Sequence, residues 1–175
     1  MSSRFKPEVT IRPYGTEDLP LLERLLGDPA MTTHIGGPES SDAVAARHRR
    51  YVARDGSTGG VFTVLVGQEQ AAAGWVGYWE SSWEGEGVWE CGWHVLREYQ
   101  GRGVASAAMA LVLGEVRTRV AHRYLHAFPS VDNVASNALC RRLGFQLLGR
   151  ADVEYPRGSM MHSNNWRLDL LAEGT

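Results

Sequence analysis

Hydrophobic residues along this chain recur at two different spacings. In seven short segments they alternate with polar residues or run together, and both patterns predict β-strands. The predicted strands cover residues 8–12, 61–66, 72–80, 88–96, 123–128, 145–148 and 165–171. Segments with apolar residues at helical spacing lie between several of them, so the order of elements predicts a mixed α/β fold.

Four segments with helical spacing carry start and stop signals. The predicted helices end near residues 26, 54, 116 and 143. Thr16 is the expected cap of the first helix, Ser41 or Asp42 caps the second, and Gly144 ends the fourth. Because the chain contains no repeat, low-complexity tract or linker, residues 1–175 are predicted to form a single domain.

Composition narrows the classes of function. The chain is 43% hydrophobic, and its formal net charge of -2 gives no reason to expect nucleic acid or an anionic membrane as a partner. No apolar run approaches the roughly 20 residues that span a bilayer, and the N-terminal segment lacks the apolar stretch of a signal peptide. With Cys91 and Cys140 as the two cysteines, we expect a reduced, cytoplasmic setting, and we predict no metal site.

A glycine-rich turn at residues 99–106 is the strongest chemical signal in the chain. Gly101 and Gly103 flank Arg102, between a strand-like run and a helix-like run. Glycines allow a tight turn and a close approach of the backbone to a ligand, and the N-terminus of a helix attracts anions. The turn is therefore predicted to hold a phosphate or pyrophosphate, although the spacing of its glycines fits neither a dinucleotide-binding motif nor a P-loop.

A second motif gives this turn a more specific meaning. Residues 133–145 predict a capped helix that ends at Gly144, and they begin 33 residues after Gln100. Together the two segments resemble the GNAT superfamily of N-acetyltransferases, and most closely its branch that acetylates ribosomal proteins. The matching positions are Gln100, Gly103 and Ala105 in the first motif and Asn133, Ser136, Leu139, Gly144 and Phe145 in the second.

The resemblance implies a fold and a co-substrate. The implied fold is a mixed, mostly antiparallel sheet of about seven strands, splayed between strands 4 and 5 and flanked by about four helices. The implied co-substrate is acetyl-CoA, with its pantetheine arm along the backbone of Trp93 and Val95 and in contact with Asn133 and Ser136. The pyrophosphate would lie on the turn, against Gly101, Arg102, Gly103, Val104, Ala105 and Ser106.

The catalytic groups are less sharply indicated. Many relatives place a tyrosine proton donor after the leucine of the second motif, where this chain has Cys140, which either donates a proton or only packs. Ser136 or a water molecule is the alternative donor. For the base, Glu90 and His94 are four residues apart on one strand and hence on one face. His126, His34 and a water relay remain alternatives.

The acceptor side is suggested by aromatic and acidic residues near the third and fourth strands. Trp79 and Trp83 accompany Glu80, Glu84 and Glu86, an arrangement that would attract a cationic amine, although the tryptophans are equally expected to fill a core or an interface. Residues 81–87 and 154–164 are expected to form loops, and residues 155–161 within the second loop are numerous enough to act as a lid. The tryptophan-rich middle is also compatible with a homodimer.

Two classes of function remain from the sequence. The first is an acetyl-CoA-dependent N-acetyltransferase in which a primary amine attacks directly within a ternary complex. The acceptor would be a small metabolite or antibiotic, or the N-terminus of a protein. The second is a catalytically silent GNAT module that binds acetyl-CoA as a sensor or interaction domain.

Overall fold

The computed structural model describes residues 7–172, so most of the segment inspected for a signal peptide lies outside the described residues. Seven strands form one sheet, in the spatial order β1-β2-β3-β4-β5-β7-β6. Their bounds are β1 Val9–Pro13, β2 Gly59–Val66, β3 Ala71–Trp83, β4 Glu86–Val95, β5 Tyr124–Ala127, β6 Gln146–Glu154 and β7 Met160–Asp169.

The α-helices of the described residues are α1 Leu19–Leu26, α2 Ser41–Val52, α3 Val104–Val116 and α4 Val134–Arg142. The caps differ from those predicted for the first two. A short 3₁₀ turn at Thr16–Asp18 precedes α1, and the Ser40 hydroxyl, not Ser41 or Asp42, caps α2 by accepting from the Ala43 N–H at 3.2 Å. No helix in residues 7–172 is long and apolar enough to cross a membrane.

The sheet is mixed, and its one parallel pair is short. Strands β1 to β4 form an antiparallel meander, and β5, β7 and β6 form a second antiparallel group. Between the two groups β4 runs parallel to β5, with Trp89 opposite Leu125 and Glu90 opposite His126. Because β4 continues to Val95 beyond this pair, the strands diverge there, and the predicted seven-stranded sheet with a splay between strands 4 and 5 is confirmed.

Helices α3 and α4 cover one face of the sheet, and α1 and α2 cover part of the other. Trp89, Cys91 and Val95 point from β4 into the core with α3 and α4. Trp75 points from β3 into the second core, with Leu22, Leu25 and other residues of α1 and α2. Alternation along a strand therefore places Glu90, Gly92 and His94 on the α1 and α2 face.

Two predicted loops are shorter in the structure. Residues 81–87 are not a loop, because β3 and β4 pair up to Trp83 and Glu86 around a tight turn in which Glu84 and Gly85 both have positive φ. Strand β7 already begins at Met160, so the predicted loop at 154–164, which contains the predicted lid at 155–161, shrinks to a turn at 155–159 between β6 and β7. The apolar pattern missed most of β6 because it is an edge strand whose side chains are mostly exposed.

Candidate functional site

The glycine turn presents unpartnered backbone N–H groups. Gly101 and Gly103 have φ values of 71° and 81°, and neither would bring a Cβ within 4 Å of another group, so the surface above them is open. No described side chain caps α3, whose first N–H in a helical hydrogen bond is that of Ala107, donated to the Gly103 carbonyl at 2.9 Å. The N–H groups of residues 104–106 are therefore free to bind an anion.

The gap between β4 and β5 offers a second row of backbone groups. The Leu96 N–H donates to the Ala73 carbonyl at 2.8 Å, so every second amide of β4 points toward β3. The alternate residues Cys91, Trp93 and Val95 therefore direct their backbone groups toward the gap. The Gln100 side-chain amide donates to the Val95 carbonyl at 2.8 Å and fixes the turn to the end of the strand.

Helix α4 closes the other side of this gap. The Asn133 side-chain oxygen caps the helix by accepting from the Ser136 N–H at 3.0 Å. The Ser136 hydroxyl in turn accepts from the Trp93 indole N–H at 3.2 Å, which joins α4 to β4. The Ser136 hydroxyl keeps its own proton for donation.

Cys140 lies in the core and away from the surface of the gap. Its side chain is fully buried, and burial raises the pKa of its thiol to about 12. Cys91 lies in the same core, where burial also raises its pKa. The structure thus favours packing, the first of the two roles open to Cys140 from the sequence, because a buried thiol does not reach a ligand in the gap.

Glu90 and His94 lie on the opposite face, as their spacing predicts, and two tryptophans stand beside them. Trp79 is opposite Glu90 and Trp75 is opposite His94 across the β3–β4 pair. Between them Gly92 leaves room for both indoles, since a Cβ there would lie 3.0 Å from the Trp79 ring and 3.3 Å from the Trp75 ring. The result is a row of one carboxylate, one aromatic-covered glycine and one imidazole.

Burial changes the pKa of both titratable groups in opposite directions. Burial raises the pKa of the Glu90 carboxyl, an effect that Ser81 and Trp79 partly offset by hydrogen bonding. Burial lowers the pKa of His94, whose Nε2 lies 2.8 Å from the Met31 carbonyl and donates to it. Glu90 is therefore the better proton acceptor of the two, because its basicity is increased and no described cation neutralises it.

A cluster that the sequence did not predict covers this face. The Arg47 guanidinium of α2 binds the Glu39 carboxylate and also donates to the Tyr155 hydroxyl at 3.2 Å. Gly36 packs so closely against Pro156 that a Cβ at residue 36 would lie 2.6 Å from the ring. The turn between β6 and β7 thus reaches α2 and the α1–α2 loop from the far side of the splay. Arg47 and Tyr155 are 108 residues apart, so no local pattern indicates their contact.

The other candidate histidines and acidic residues separate into different places. His34 is exposed, whereas His126 is buried and bonds Asn165 through Nδ1 at 2.8 Å. The expected aromatic and acidic group also divides, because Glu80 lies 3.4 Å from His122 and Trp79 covers Gly92. Trp83, Glu84 and Glu86 remain together and line a separate cleft with His126.

Within residues 7–172, no three His, Cys, Asp or Glu side chains are grouped so that they could hold a metal ion. The described site consists of backbone N–H groups, one half-buried carboxylate, imidazoles and aromatic rings.

Comparison with known proteins agrees with this geometry. A family model for the acetyltransferase (GNAT) domain matches residues 8–146. No curated protein matches the chain.

Solved structures share the fold at low sequence identity. Spermidine N-acetyltransferase from Vibrio cholerae, solved with CoA and spermine, is similar with a TM-score of 0.74 and 18% identity, over 93% of this chain and 95% of that one. An acetyltransferase of Salmonella typhimurium that modifies the N-terminal serine of ribosomal protein L7/L12 has a TM-score of 0.73 and 19% identity, over 92% and 94%. A GNAT-family acetyltransferase from Bacillus anthracis has a TM-score of 0.74 and 18% identity, over 94% and 97%.

Proposed function

The chain belongs to the GNAT acetyltransferase family, whose enzymes use acetyl-CoA as co-substrate, and from this premise we propose that it acetylates a primary amine. The amine attacks the thioester directly, with both substrates bound at once. Residues 1–175 act as one catalytic domain in the cytoplasm. The observation that carries this proposal is the placement of two groups along β4: the free N–H groups just beyond the end of the strand, and the half-buried Glu90 at the last paired position before β4 and β5 diverge.

The acyl donor occupies the end of β4 that carries the glycine turn. Its pyrophosphate accepts hydrogen bonds from the N–H groups of residues 101–106, and Arg102 adds a positive charge. Its pantetheine amides pair with the backbone of Trp93 and Val95 in the gap, opposite Asn133 and Ser136 on α4. The thioester then lies near the point where β4 and β5 diverge.

The acceptor amine reaches the thioester from the face that carries Glu90. It arrives as an ammonium ion, and the Glu90 carboxylate accepts one of its protons, directly or through a water molecule. The amine nitrogen attacks the carbonyl carbon, and the resulting tetrahedral intermediate collapses as the carbon–sulfur bond breaks. His94 is bound to the Met31 carbonyl and serves to position that loop against β4.

When the carbon–sulfur bond breaks, the new amide nitrogen gives up its excess proton and the leaving thiolate gains one. This proton passes through the Ser136 hydroxyl, which donates its proton to the sulfur and takes up the one from the nitrogen, or through a water molecule. Ser136 lies at the start of α4, beside Trp93, and its hydroxyl proton is not used in the bond from the indole. Cys140 packs in the core and takes no part in the transfer.

Release of free thiol from acetyl-CoA across a panel of amines tests this proposal. The panel contains alkylamines, diamines, aminoglycosides and short peptides with free N-termini, and mass spectrometry identifies the acetylated product. We expect thiol release that depends on the amine, together with a product heavier by one acetyl group. Tight binding of CoA without turnover on any amine would instead support the catalytically silent binding module.

A further inference from the structure

A cleft of about 190 Å³ lies beside the proposed reaction centre, on the side away from the acyl donor. It is formed between the β3–β4 hairpin and the neighbouring strands β5 and β7. Trp83 and Glu86 face each other across the hairpin, and Glu84 occupies its turn. The side chains that line it include Trp83, Glu84, Glu86, Tyr124, His126 and Arg167.

The cleft and Glu90 share one face of the sheet. Trp83, Ser81 and Trp79 alternate along β3 opposite Glu86, Val88 and Glu90 of β4, so all six side chains lie on the same side. Glu86 and Glu90 are four positions apart, a distance of about 13 Å along an extended strand. A molecule lying along this face could therefore have one end in the cleft and the other at the splay.

His126 links the cleft to the reaction centre and carries an unused polar atom. It is opposite Glu90 in the parallel β4–β5 pair, and its side chain is 2% exposed. Its Nδ1 is bound to Asn165, whereas its Nε2 has no hydrogen-bond partner among the described residues, although the ring lines the cleft. Because the Asn165 side-chain oxygen can only accept, Nδ1 donates to it, and the Nε2 of the neutral ring is left as an acceptor that an ammonium group in the cleft can use.

The charges and rings of the cleft favour a cation. The Trp83 ring packs against Phe128 at 5.0 Å and forms an aromatic wall with His126. Two carboxylates, Glu84 and Glu86, face a single guanidinium, Arg167, which is stacked over the Tyr124 ring at 4.4 Å. Aromatic faces and an excess of carboxylates attract organic ammonium groups and disfavour anions.

We propose that this cleft binds a second positively charged group of the acceptor, so that the preferred substrate is an extended diamine or polyamine-like cation. The reacting nitrogen lies at Glu90 while the second ammonium group lies between Trp83 and the two carboxylates, on the order of 10 Å away. This inference rests on the proposed acetyl transfer, but the binding it requires is measurable without turnover.

The test compares linear amines of equal length in the wild type and in two variants. 1,8-Diaminooctane carries the second charge, and octylamine and 8-aminooctan-1-ol do not. Binding is measured by calorimetry without acetyl-CoA, and KM for each amine by thiol release at saturating acetyl-CoA. The variant Glu84→Gln/Glu86→Gln removes the charge of the cleft. Glu80→Gln is the matched control, because Glu80 is on the same hairpin but pairs with His122.

We expect the wild type to bind the diamine about tenfold more tightly than either monoamine, as one partly desolvated charge contact would provide. In the double variant the affinity for the diamine should fall to that for octylamine, whereas Glu80→Gln should keep the wild-type preference. Equal affinity for diamine and monoamines in the wild type, or equal losses in both variants, would overturn the inference. If diamine-selective binding occurs without thiol release, the cleft assignment stands and the proposed acetyl transfer fails.

Discussion

The two ends of β4 offer a ligand different kinds of chemical group. At the end that carries the glycine turn, the groups available to a ligand are backbone N–H groups of Gly101 to Ser106 and of the open strand edge. At the other end they are side chains, namely Glu90, His126, Trp83 and the carboxylates of the hairpin turn. A backbone site suits a donor common to a whole family, whereas a side-chain site can differ from one member to the next.

The largest expected effect on activity comes from Glu90→Gln, which changes a side chain at the acceptor end of β4 and leaves the glycine turn unchanged. Loss of a positioned base lowers kcat/KM for the amine by about 10²-fold or more, because the ammonium ion then loses its proton to water. Steady-state thiol release measures this change. Glu80→Gln, an exposed carboxylate one residue beyond Trp79, is the control and should keep full activity. Full activity of Glu90→Gln across pH would remove Glu90 as the base.

The same variant should be more stable than the wild type at neutral pH. Burial raises the pKa of Glu90 in the folded protein above its value in the unfolded chain. The stability that protonated Glu90 contributes is therefore complete below the unfolded pKa and is lost as pH rises through the folded pKa. Glutamine does not titrate, so the unfolding temperature of Glu90→Gln should exceed that of the wild type at pH 7 but not at pH 4. Equal temperatures at both values would show that Glu90 is not buried as described.

At the end of β4 that carries the glycine turn, Gly103→Ala should weaken binding of acetyl-CoA without changing binding of the amine. A Cβ at φ 81° costs about 1 kcal/mol in strain and covers the open surface of the turn. We expect KM for acetyl-CoA to rise about tenfold, with little change in KM for the amine. Gly67→Ala is the matched control, because its φ of 73° imposes similar strain in the β2–β3 turn, far from the site. Equal effects of the two variants on KM would mean that strain, and not ligand contact, is responsible.

A smaller effect is expected at α4. Asn133→Ala removes the cap of this helix, which should cost about 1 kcal/mol of unfolding free energy, and it also removes the side-chain amide beside the gap. Asn133→Ser restores a cap but not the amide. If Asn133 also contacts pantetheine, both variants raise KM for acetyl-CoA while only the alanine variant loses stability in denaturant unfolding. An unchanged KM in both would leave Asn133 a purely structural cap.

Cys140→Ala is expected to change kcat least. The thiol is fully buried, so its removal should cost about 1 kcal/mol of unfolding free energy, as for a small cavity in the core. The kcat of thiol release should stay within about twofold of the wild type. A loss of kcat tenfold or greater, with KM unchanged, would give Cys140 the proton-donor role that its position in the motif suggested.

The sequence predicted the two ends of β4 to different extents. The turn at residues 99–106 and the capped helix after Asn133 are local sequence patterns, so both could be predicted from the spacing of their residues. The same holds for Glu90 and His94, whose spacing of four residues places them on one face of the strand. The Arg47–Tyr155 contact and the cleft of Trp83 and His126 join segments far apart in the chain, and no spacing reveals them. The glycines and glutamates of residues 81–87 predict a loop, and this prediction is wrong, because two of these residues form a tight hairpin turn and the others belong to the paired strands.

The most direct test of this division is the affinity for CoA, measured by calorimetry in the wild type, Gly103→Ala, Gly67→Ala and Glu90→Gln. If the donor is held by the backbone end of β4, Gly103→Ala binds CoA about tenfold more weakly, while Gly67→Ala and Glu90→Gln bind it as the wild type does. If Glu90→Gln loses as much affinity as Gly103→Ala, or Gly103→Ala loses none, the donor does not lie on the turn, and the account of the two ends is wrong.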